Sequence, residues 1–515
     1  MKLFGNTKQS KYGRDAVRSI PQEPEISVEL PLQDGTPSAA PKTQSPAQPK
    51  PVAAAAPQAQ SPAQPRPAAH PQAAAGQYTK KTSILSYAEL PPDERKRRMQ
   101  ADYRNTPVKK RKKSKHKKRI RTLIVLLILA ALLLSFYLVV CYSDNPAIAK
   151  FRKSCIDFSM ETMRFQWVAK TFVPKSVMDE WRADKEAAQQ AQIGENSTDP
   201  PTLAPQEEVT EPLPETDTTQ SEEELEKEHF YEVFWELDRD SAETYFRQNP
   251  EVLQDGYGKI NINEAGLKDE GTTIYTEMGE QVLAIDAENE ILLVRLWCGS
   301  SRGVLAIAKD PSLLHLYPSK GIGGYGQHVG DIARNNNGLL AMTGSGFIDE
   351  GGNGNGGELA GFCKCDGETY GRHMKWGIKR IELKENNWMY INDAPNDCGD
   401  DVTDAVEFEP ALIVNGKQLP VNDYTANNPR ACIGQSKNGE ILMVVIEGRY
   451  VDSPGCSVVR IAEKLMEHDC LTAMNLDGGT SAIMWYEGEV VTRCSNVRTP
   501  EGRYLPNAWV YTEKP

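Results

Sequence analysis

From Thr122 to Ser143 the chain carries no charged residue, and its middle reads LIVLLILAALLLSFYLVV. About 21 helical residues span roughly 30 Å, the thickness of a bilayer's hydrocarbon core. A run that is apolar on every face for about six turns predicts a membrane span rather than an amphipathic core helix. Its start, well over a hundred residues into the chain, argues against a cleaved signal peptide. Beyond it, Asn145–Gln192 has helical composition, and EKEHFYEVFWELDRDSAETYFRQNP (226–250) reads as one or two short helices.

From about Gln281 the pattern changes to short apolar runs separated by Gly, Asn and Asp. QVLAIDAENEILLVRLWC (281–298) predicts two strands with a turn at AEN, and RGVLAIAKD (302–310) another. RACIGQSKNGEILMVVIEGR (430–449) predicts a hairpin turned at Lys437-Asn438-Gly439, residues that tolerate positive φ. Val458, Ile461, Ala462, Leu465 and Met466 recur at helical spacing, so a helix packs on the sheet, and LTAMNLD, AIMWYEGEVV and NAWVYT close the chain as strands. The expected class is α+β: a mostly β outer domain with one or two packed helices, preceded by a single transmembrane helix and a disordered arm. The expected organisation is a cytoplasmic arm over 1–119, the span over 120–143 and a stalk with an acidic linker over 144–225. A helical and β lead-in over 226–299 then precedes the main domain over 300–515.

Charge sharpens this layout. Residues 1–121 hold 25 Lys+Arg against 9 Asp+Glu, a net of +16, which leaves 34 against 62, or −28, for the remainder of a chain whose total is −12. The basic run KKRKKSKHKKRIR (109–121) abuts the span, so the positive-inside tendency places the arm in the cytoplasm and residues 144–515 outside a cell membrane crossed once. That position also favours contact with anionic lipids over a nucleic-acid role. Residues 37–71 contain ten prolines, and QSPAQPKP (44–51) returns as QSPAQPRP (60–67), a composition that forms no core. Residues 193–225 are rich in acid, Pro and Thr, hence a solvated linker, and Asn196-Ser197-Thr198 is a glycosylation sequon.

Eight cysteines fall in the outer domain: Cys298, Cys363, Cys365, Cys398, Cys432, Cys456, Cys470 and Cys494. Buried thiols or disulfides are favoured over zinc, because no second closely spaced Cys/His pair completes a metal set. GIGGYG (321–326) fits a dinucleotide pattern formally but has no strand–helix frame, and no GK[ST] supports a nucleotide loop. GSGFIDEGGNGNGG (344–357) is either a flexible surface loop or an anion-holding concavity of backbone amides. Asp349 and Glu350 within it are the residues that could take Ca²⁺, although no ligand loop of recognisable spacing is present.

The strongest segment is Asn475-Leu476-Asp477-Gly478-Gly479-Thr480-Ser481. On a strand Asn475 and Asp477 share a face while Leu476 points into the core, and two glycines let the backbone turn beside the carboxylate. Before it come Pro429-Arg430-Ala431-Cys432-Ile433-Gly434 and Val444-Val445-Ile446-Glu447-Gly448-Arg449. After it comes Gly502-Arg503-Tyr504-Leu505-Pro506-Asn507-Ala508. In this order and spacing the set resembles the phosphodiester glycosidase family, which includes bacterial members labelled as exopolysaccharide-related. The resemblance covers about 300–513 and is strongest over 428–510. One departure is Thr343-Gly344-Ser345-Gly346-Phe347, where the family often has an Asn-Gly pair before an aromatic.

The resemblance implies an enzyme that hydrolyses sugar-1-phosphodiester bonds, such as N-acetylglucosamine-1-phosphodiesters, on surface glycans. The anionic substrate calls for guanidinium groups, for which Arg430, Arg449 and Arg503 are candidates. A carboxylate must oppose oxocarbenium charge or activate water, and Asp477 is the first candidate with Glu447 the second. Asn475, Gly478, Gly479 and Ser481 would orient sugar or phosphate, and Ser345 would supply a hydrogen bond. No cofactor is called for beyond the Ca²⁺ question. The alternative is a non-catalytic glycan-binding or exopolysaccharide-assembly module using the same cleft.

Overall fold

A computed structural model describes residues 91–105, 115–162, 165–200, 221–268, 270–350, 354–374, 379–394, 398–421 and 426–515. The Pro-rich part of the arm, residues 109–114 of the basic run and the linker over 201–220 lie outside the described residues. Within the stretch expected to be unfolded stands one helix, α1 (Pro92–Asn105), opened by Pro92 with Asp93 and Glu94 in its first turn, where acids complement the helix dipole.

The apolar run forms α2 (Lys115–Tyr142), of which Arg119–Tyr142 is long and apolar enough to cross a membrane; none of its apolar window is buried inside the protein. Three helices follow in the stretch expected to form a stalk: α3 (Pro146–Glu161), α4 (Gln166–Phe172) and α5 (Lys175–Gln190). Asn145 caps α3 by accepting from the Ala147 amide. The expectation that residues 193–200 belong to a free linker is corrected, because Ser197 N–H donates to Ile391 O at 2.8 Å and Thr198 N–H to Asn415 Oδ1 at 2.9 Å. Asn196 of the sequon accepts from Lys379 Nζ at 3.1 Å and from the Asp393 amide at 2.9 Å. The polar side chains of this segment thus satisfy sheet-edge groups instead of water.

Two helices lead in, α6 (Glu222–Val233) with a Ser221–Glu224 capping box and α7 (Arg239–Gln248). The strands are β1 (Asn261–Asn263), β2 (Val282–Asp286), β3 (Ile291–Cys298), β4 (Ser301–Ala308) and β5 (Leu314–Pro318). After α8 (Val329–Asn335) come β6 (Gly338–Thr343), β7 (Phe362–Cys365), β8 (Glu368–Gly371), β9 (Lys379–Lys384) and β10 (Met389–Asp393). Then follow β11 (Val402–Phe408), β12 (Ala411–Val414), β13 (Lys417–Gln418), β14 (Arg430–Ser436) and β15 (Ile441–Ile446). α9 (Val458–Glu467), β16 (Cys470–Asn475), β17 (Met484–Tyr486), β18 (Glu489–Val490) and β19 (Asn507–Thr512) complete the chain.

A nine-stranded sheet runs β1-β2-β3-β4-β15-β14-β16-β12-β13, and two five-stranded sheets run β10-β9-β11-β7-β8 and β18-β17-β6-β19-β5. The expectation of a mostly β domain with packed helices is met, with antiparallel pairing between the described strands. The large sheet is buried on both faces. Ile291, Leu293, Ile441, Met443 and Val445 enter a core shared with the smaller sheets, while Leu292, Val294, Leu442, Val444 and Ile446 pack under α6, α7 and α9. This explains why β3 and β15 read as continuous apolar runs (ILLV, ILMVVI) rather than as alternation.

Candidate active site

Antiparallel pairing brings the start of β14 to the ends of β15 and β16. Arg430 lies opposite Ile446, and Cys432 opposite Asn475. The loops leaving β15 and β16 therefore emerge side by side, and Pro429 lies between them. A Cβ on Gly448 would stand 2.7 Å from Pro429 N, and one on Gly478 would stand 2.7 Å from Pro429 O. Glycine at both positions is what lets three backbones meet here. Gly479 N–H donates to Pro429 O at 3.0 Å and closes the turn.

Asp477 is half-buried at this junction. Burial pushes its carboxyl up to about 6, and nearby Asp349 adds to the rise, against the Ser481 hydroxyl, Arg503 and the Gly478 amide, which favour the charged form. Arg449 lies against the same turn: a Cβ on Gly479 would come within 3.3 Å of its Nη2. Arg449 adopts φ 66°, an uncommon conformation for a non-glycine residue, and is exposed. Among the described residues it has no carboxylate within ion-pair distance; its guanidinium donates to Ser495 Oγ at 3.4 Å and to Thr162 Oγ1 at 3.5 Å. Desolvation and then Arg430 hold its guanidinium below the ordinary arginine value, while Asp477 acts in the opposite sense.

Arg503 arrives from the segment before β19. It grips Asp349 with both terminal nitrogens, donates to Gly354 O at 2.8 Å and lies over the Phe347 ring at 4.5 Å. Burial works against the charge on Asp349, but Arg503 and the Gly354 amide outweigh it and hold that carboxyl below its usual range. Two carboxylates in one neighbourhood thus differ: Asp349 stays ionised while Asp477 titrates nearer neutrality. The Gly-rich segment is pinned at Asp349 and Gly354. Asp349, named for Ca²⁺, is engaged by Arg503, Glu350 is exposed, and no group of three metal-ligating side chains occurs among the described residues.

Arg430 is buried, and a residue of the stalk fills its reach. Glu161 Oε2, at the end of α3, pairs with Arg430 Nη2 at 2.6 Å and accepts from Asn428 Nδ2 at 3.0 Å. Burial disfavours the Arg430 charge, yet Glu161 offsets it and holds the guanidinium above its ordinary value. Glu161 Oε1 and Asn428 Oδ1 remain without partners. Neither Glu161 nor Asn428 carried a sequence signal; Glu161 lies 269 residues from its arginine in an unremarkable helical stretch.

Glu447 is placed differently from Asp477. It is buried between Arg302 Nε at 2.9 Å and Arg493 Nε at 2.6 Å, and accepts from the Arg493 amide at 3.0 Å. Asn475 is turned into the sheet, donating to Glu409 O at 2.9 Å. Ser481 is buried, with its carbonyl held by the Thr343 hydroxyl. Ser345 is also buried, its amide donating to Asn507 Oδ1 at 2.7 Å and its hydroxyl accepting from Asn507 Nδ2 at 2.9 Å. Asn507, within the GRYLPNA segment, is the residue that locks the altered Thr343–Phe347 stretch. The structure thus gathers Asp477, Gly478, Gly479, Ser481, Arg449 and Arg503, with Arg430 beside them and Glu447, Asn475 and Ser345 in supporting positions.

Among the described residues all ten cysteines are free thiols, eight of them buried. Cys363 and Cys365 share a strand face with sulfurs 3.7 Å apart, and Asn507 Nδ2 donates to Cys363 at 3.2 Å.

Residues 336–512 match the family model described as phosphodiester glycosidase, which bears out the resemblance carried by the Arg430, Asp477 and Arg503 segments. At family level the match supports a hydrolase-like, glycosidase-type domain over these residues. The SPbeta prophage-derived uncharacterized protein YomE of Bacillus subtilis (strain 168) is 28% identical over 74 residues, 14% of this chain and 12% of that protein's length. Among solved structures, the zebrafish N-acetylglucosamine-1-phosphodiester alpha-N-acetylglucosaminidase catalytic domain, auto-inhibited by its pro-peptide, aligns at TM-score 0.37. It is 16% identical and covers 44% of this chain and 82% of its own. A hypothetical protein from Synechocystis aligns at TM-score 0.33 and 14% identity, over 46% of this chain and 65% of its own.

Proposed function

We propose that the protein is a single-span ectoenzyme, amino terminus in the cytoplasm, whose outer domain hydrolyses sugar-1-phosphodiester bonds on surface glycans. One observation carries the reading: a half-buried carboxylate with its pKa pushed up to about 6 stands beside an exposed arginine that has no carboxylate partner among the described residues. Arg449 is the first anchor for the phosphate, and Arg503 fixes the loop that borders the sugar. The ionised Asp477 opposes positive charge growing at the anomeric carbon, while Ser481 and the Gly478 amide keep it oriented. A phosphomonoester departs as a stable anion, so the geometry needs no strong proton donor at the leaving oxygen. Glu447 acts as an anchor for the loop carrying Arg449. The Arg430 guanidinium, filled by Glu161 in this conformation, becomes a second phosphate contact once Glu161 moves away.

The basic run and α2 together support membrane attachment and contact with anionic lipids at the inner face. The test is incubation of the full chain in detergent with sugar-1-phosphodiesters that differ only in the sugar, with and without chelator. Release of free sugar that disappears in Asp477→Asn supports hydrolysis. Tight binding with no turnover would instead establish the glycan-binding alternative.

A further inference from the structure

We propose that the hairpin of α3 and α4 lies in the outer interface of the bilayer, with its aromatic side chains among the lipids, an inference that rests on reading α2 as a membrane span. Along α3 the exposed residues Ala147, Phe151, Cys155 and Phe158 recur at steps of four, four and three, which place them on one helical face. The opposite face carries buried Ile156, which packs with Ala169 of α4 and Met178 of α5. Phe165 continues the outward surface by stacking on Phe158 at 6.1 Å, and Trp167 meets Phe172 edge-on at the same distance. Phe151, Trp167 and Phe172 are each more than half exposed. Isolated exposed apolar residues are ordinary; five aromatics on one small hairpin form a patch that soluble proteins rarely leave to water.

Lipid is the occupant because the patch continues the apolar surface of α2. Residues 143–145 join the two helices, and Arg152 donates to Val140 O at 3.1 Å and Ser143 O at 3.1 Å, fixing α3 to the outer end of α2. Tyr137 O–H donates to Phe172 O at 2.9 Å. Tyr137 lies five residues inside Tyr142, about 7.5 Å along the helix, so the end of α4 reaches that depth beside the span. Trp favours this zone, and amphipathic helices bury an apolar face of Trp, Phe and Leu about 5–10 Å into it. Exposed Lys150, Lys170 and Lys175 border the patch and suit anionic headgroups. The same α3 ends at Glu161, against Arg430, so an embedded hairpin holds the candidate site close to the membrane surface and its substrate must be reached there.

The test uses the full chain reconstituted in vesicles of phosphatidylcholine and phosphatidylglycerol whose acyl chains carry bromine near the headgroup or near the methyl end. Emission is compared between the wild type and Trp167→Phe, an exposed and conservative change, to isolate Trp167. Headgroup-proximal bromine should quench that component about twofold or more, and methyl-end bromine should quench it less. Phe158→Trp in the Trp167→Phe background should show the same depth order. A chain that remains in carbonate-washed vesicles while Trp167 emission ignores bromine and is quenched by aqueous iodide overturns the inference alone. A chain released by the carbonate wash overturns both the inference and the membrane anchoring beneath it.

Discussion

The loops that follow β15 and β16 leave the same sheet side by side, and each carries a carboxylate followed by glycine within its first three residues. Their chemistry diverges nonetheless. Glu447 is fully engaged by Arg302, Arg493 and a backbone amide, whereas Asp477 is half-buried and pushed up to about 6. A carboxylate held by two guanidiniums is a structural rivet, and one short of compensating charge is held ready for chemistry. On the proposed reading, the partners around the residue, not the residue type or its strand position, divide the two roles.

The largest effect that tests this contrast is expected from Asp477→Asn, which should lower kcat by about a thousandfold or more if the carboxylate opposes transition-state charge. The folded protein should survive it. A raised folded-state pKa means that, between the unfolded value near 3.9 and about 6, the native state holds a proton the unfolded chain has lost, so stability declines as pH rises through that window. Asp477→Asn should therefore show an equal or higher Tm at neutral pH, read by circular dichroism. A lowered Tm would count against the strained-carboxylate picture.

Glu447→Gln should do the opposite. Removing the charge leaves Arg302 and Arg493 without their shared counter-ion and should cost about 2 kcal/mol in urea unfolding, a discount from the full buried-pair penalty because both arginines are partly exposed. Activity per folded molecule should change by less than about fivefold. A collapse of kcat without loss of stability would give Glu447 the chemical role instead.

Asp349→Asn sharpens the comparison from a third side. It removes a neighbouring negative charge and frees Arg503, and both changes favour the ionised form of Asp477. The acid limb of kcat/KM should move to lower pH, while unchanged profiles would disconnect Asp349 from the site. The smallest effect is expected from Glu161→Gln, which weakens the stalk's hold on Arg430 and should raise kcat/KM several-fold through KM, by roughly 1 kcal/mol. A rate that falls instead would make Glu161 part of the working site.

Much of this fold was legible because its central strands are buried on both faces and are bounded by strong turn residues. The 430–449 hairpin and the β16–glycine turn stand where the apolar pattern places them. The Asp477–Gly478–Gly479 junction was legible too, since carboxylate and glycine chemistry is local. Glu447's neutralisation was not, because Arg302 is 145 residues away and becomes a neighbour only through β4–β15 pairing. Nor was Glu161, whose partner is set by the docking of the stalk. The segment 193–200 looked like solvated linker because its polar groups find their partners on distant strands.

The most direct measurement is the pH dependence of kcat/KM for the wild-type chain on a sugar-1-phosphodiester, whose single phosphate charge does not change in this range. The account predicts activity that rises with pH around a midpoint near 6 as Asp477 ionises, with that limb absent from the residual activity of Asp477→Asn. Activity that falls as pH rises through this region, or a limb that persists in Asp477→Asn, would contradict it.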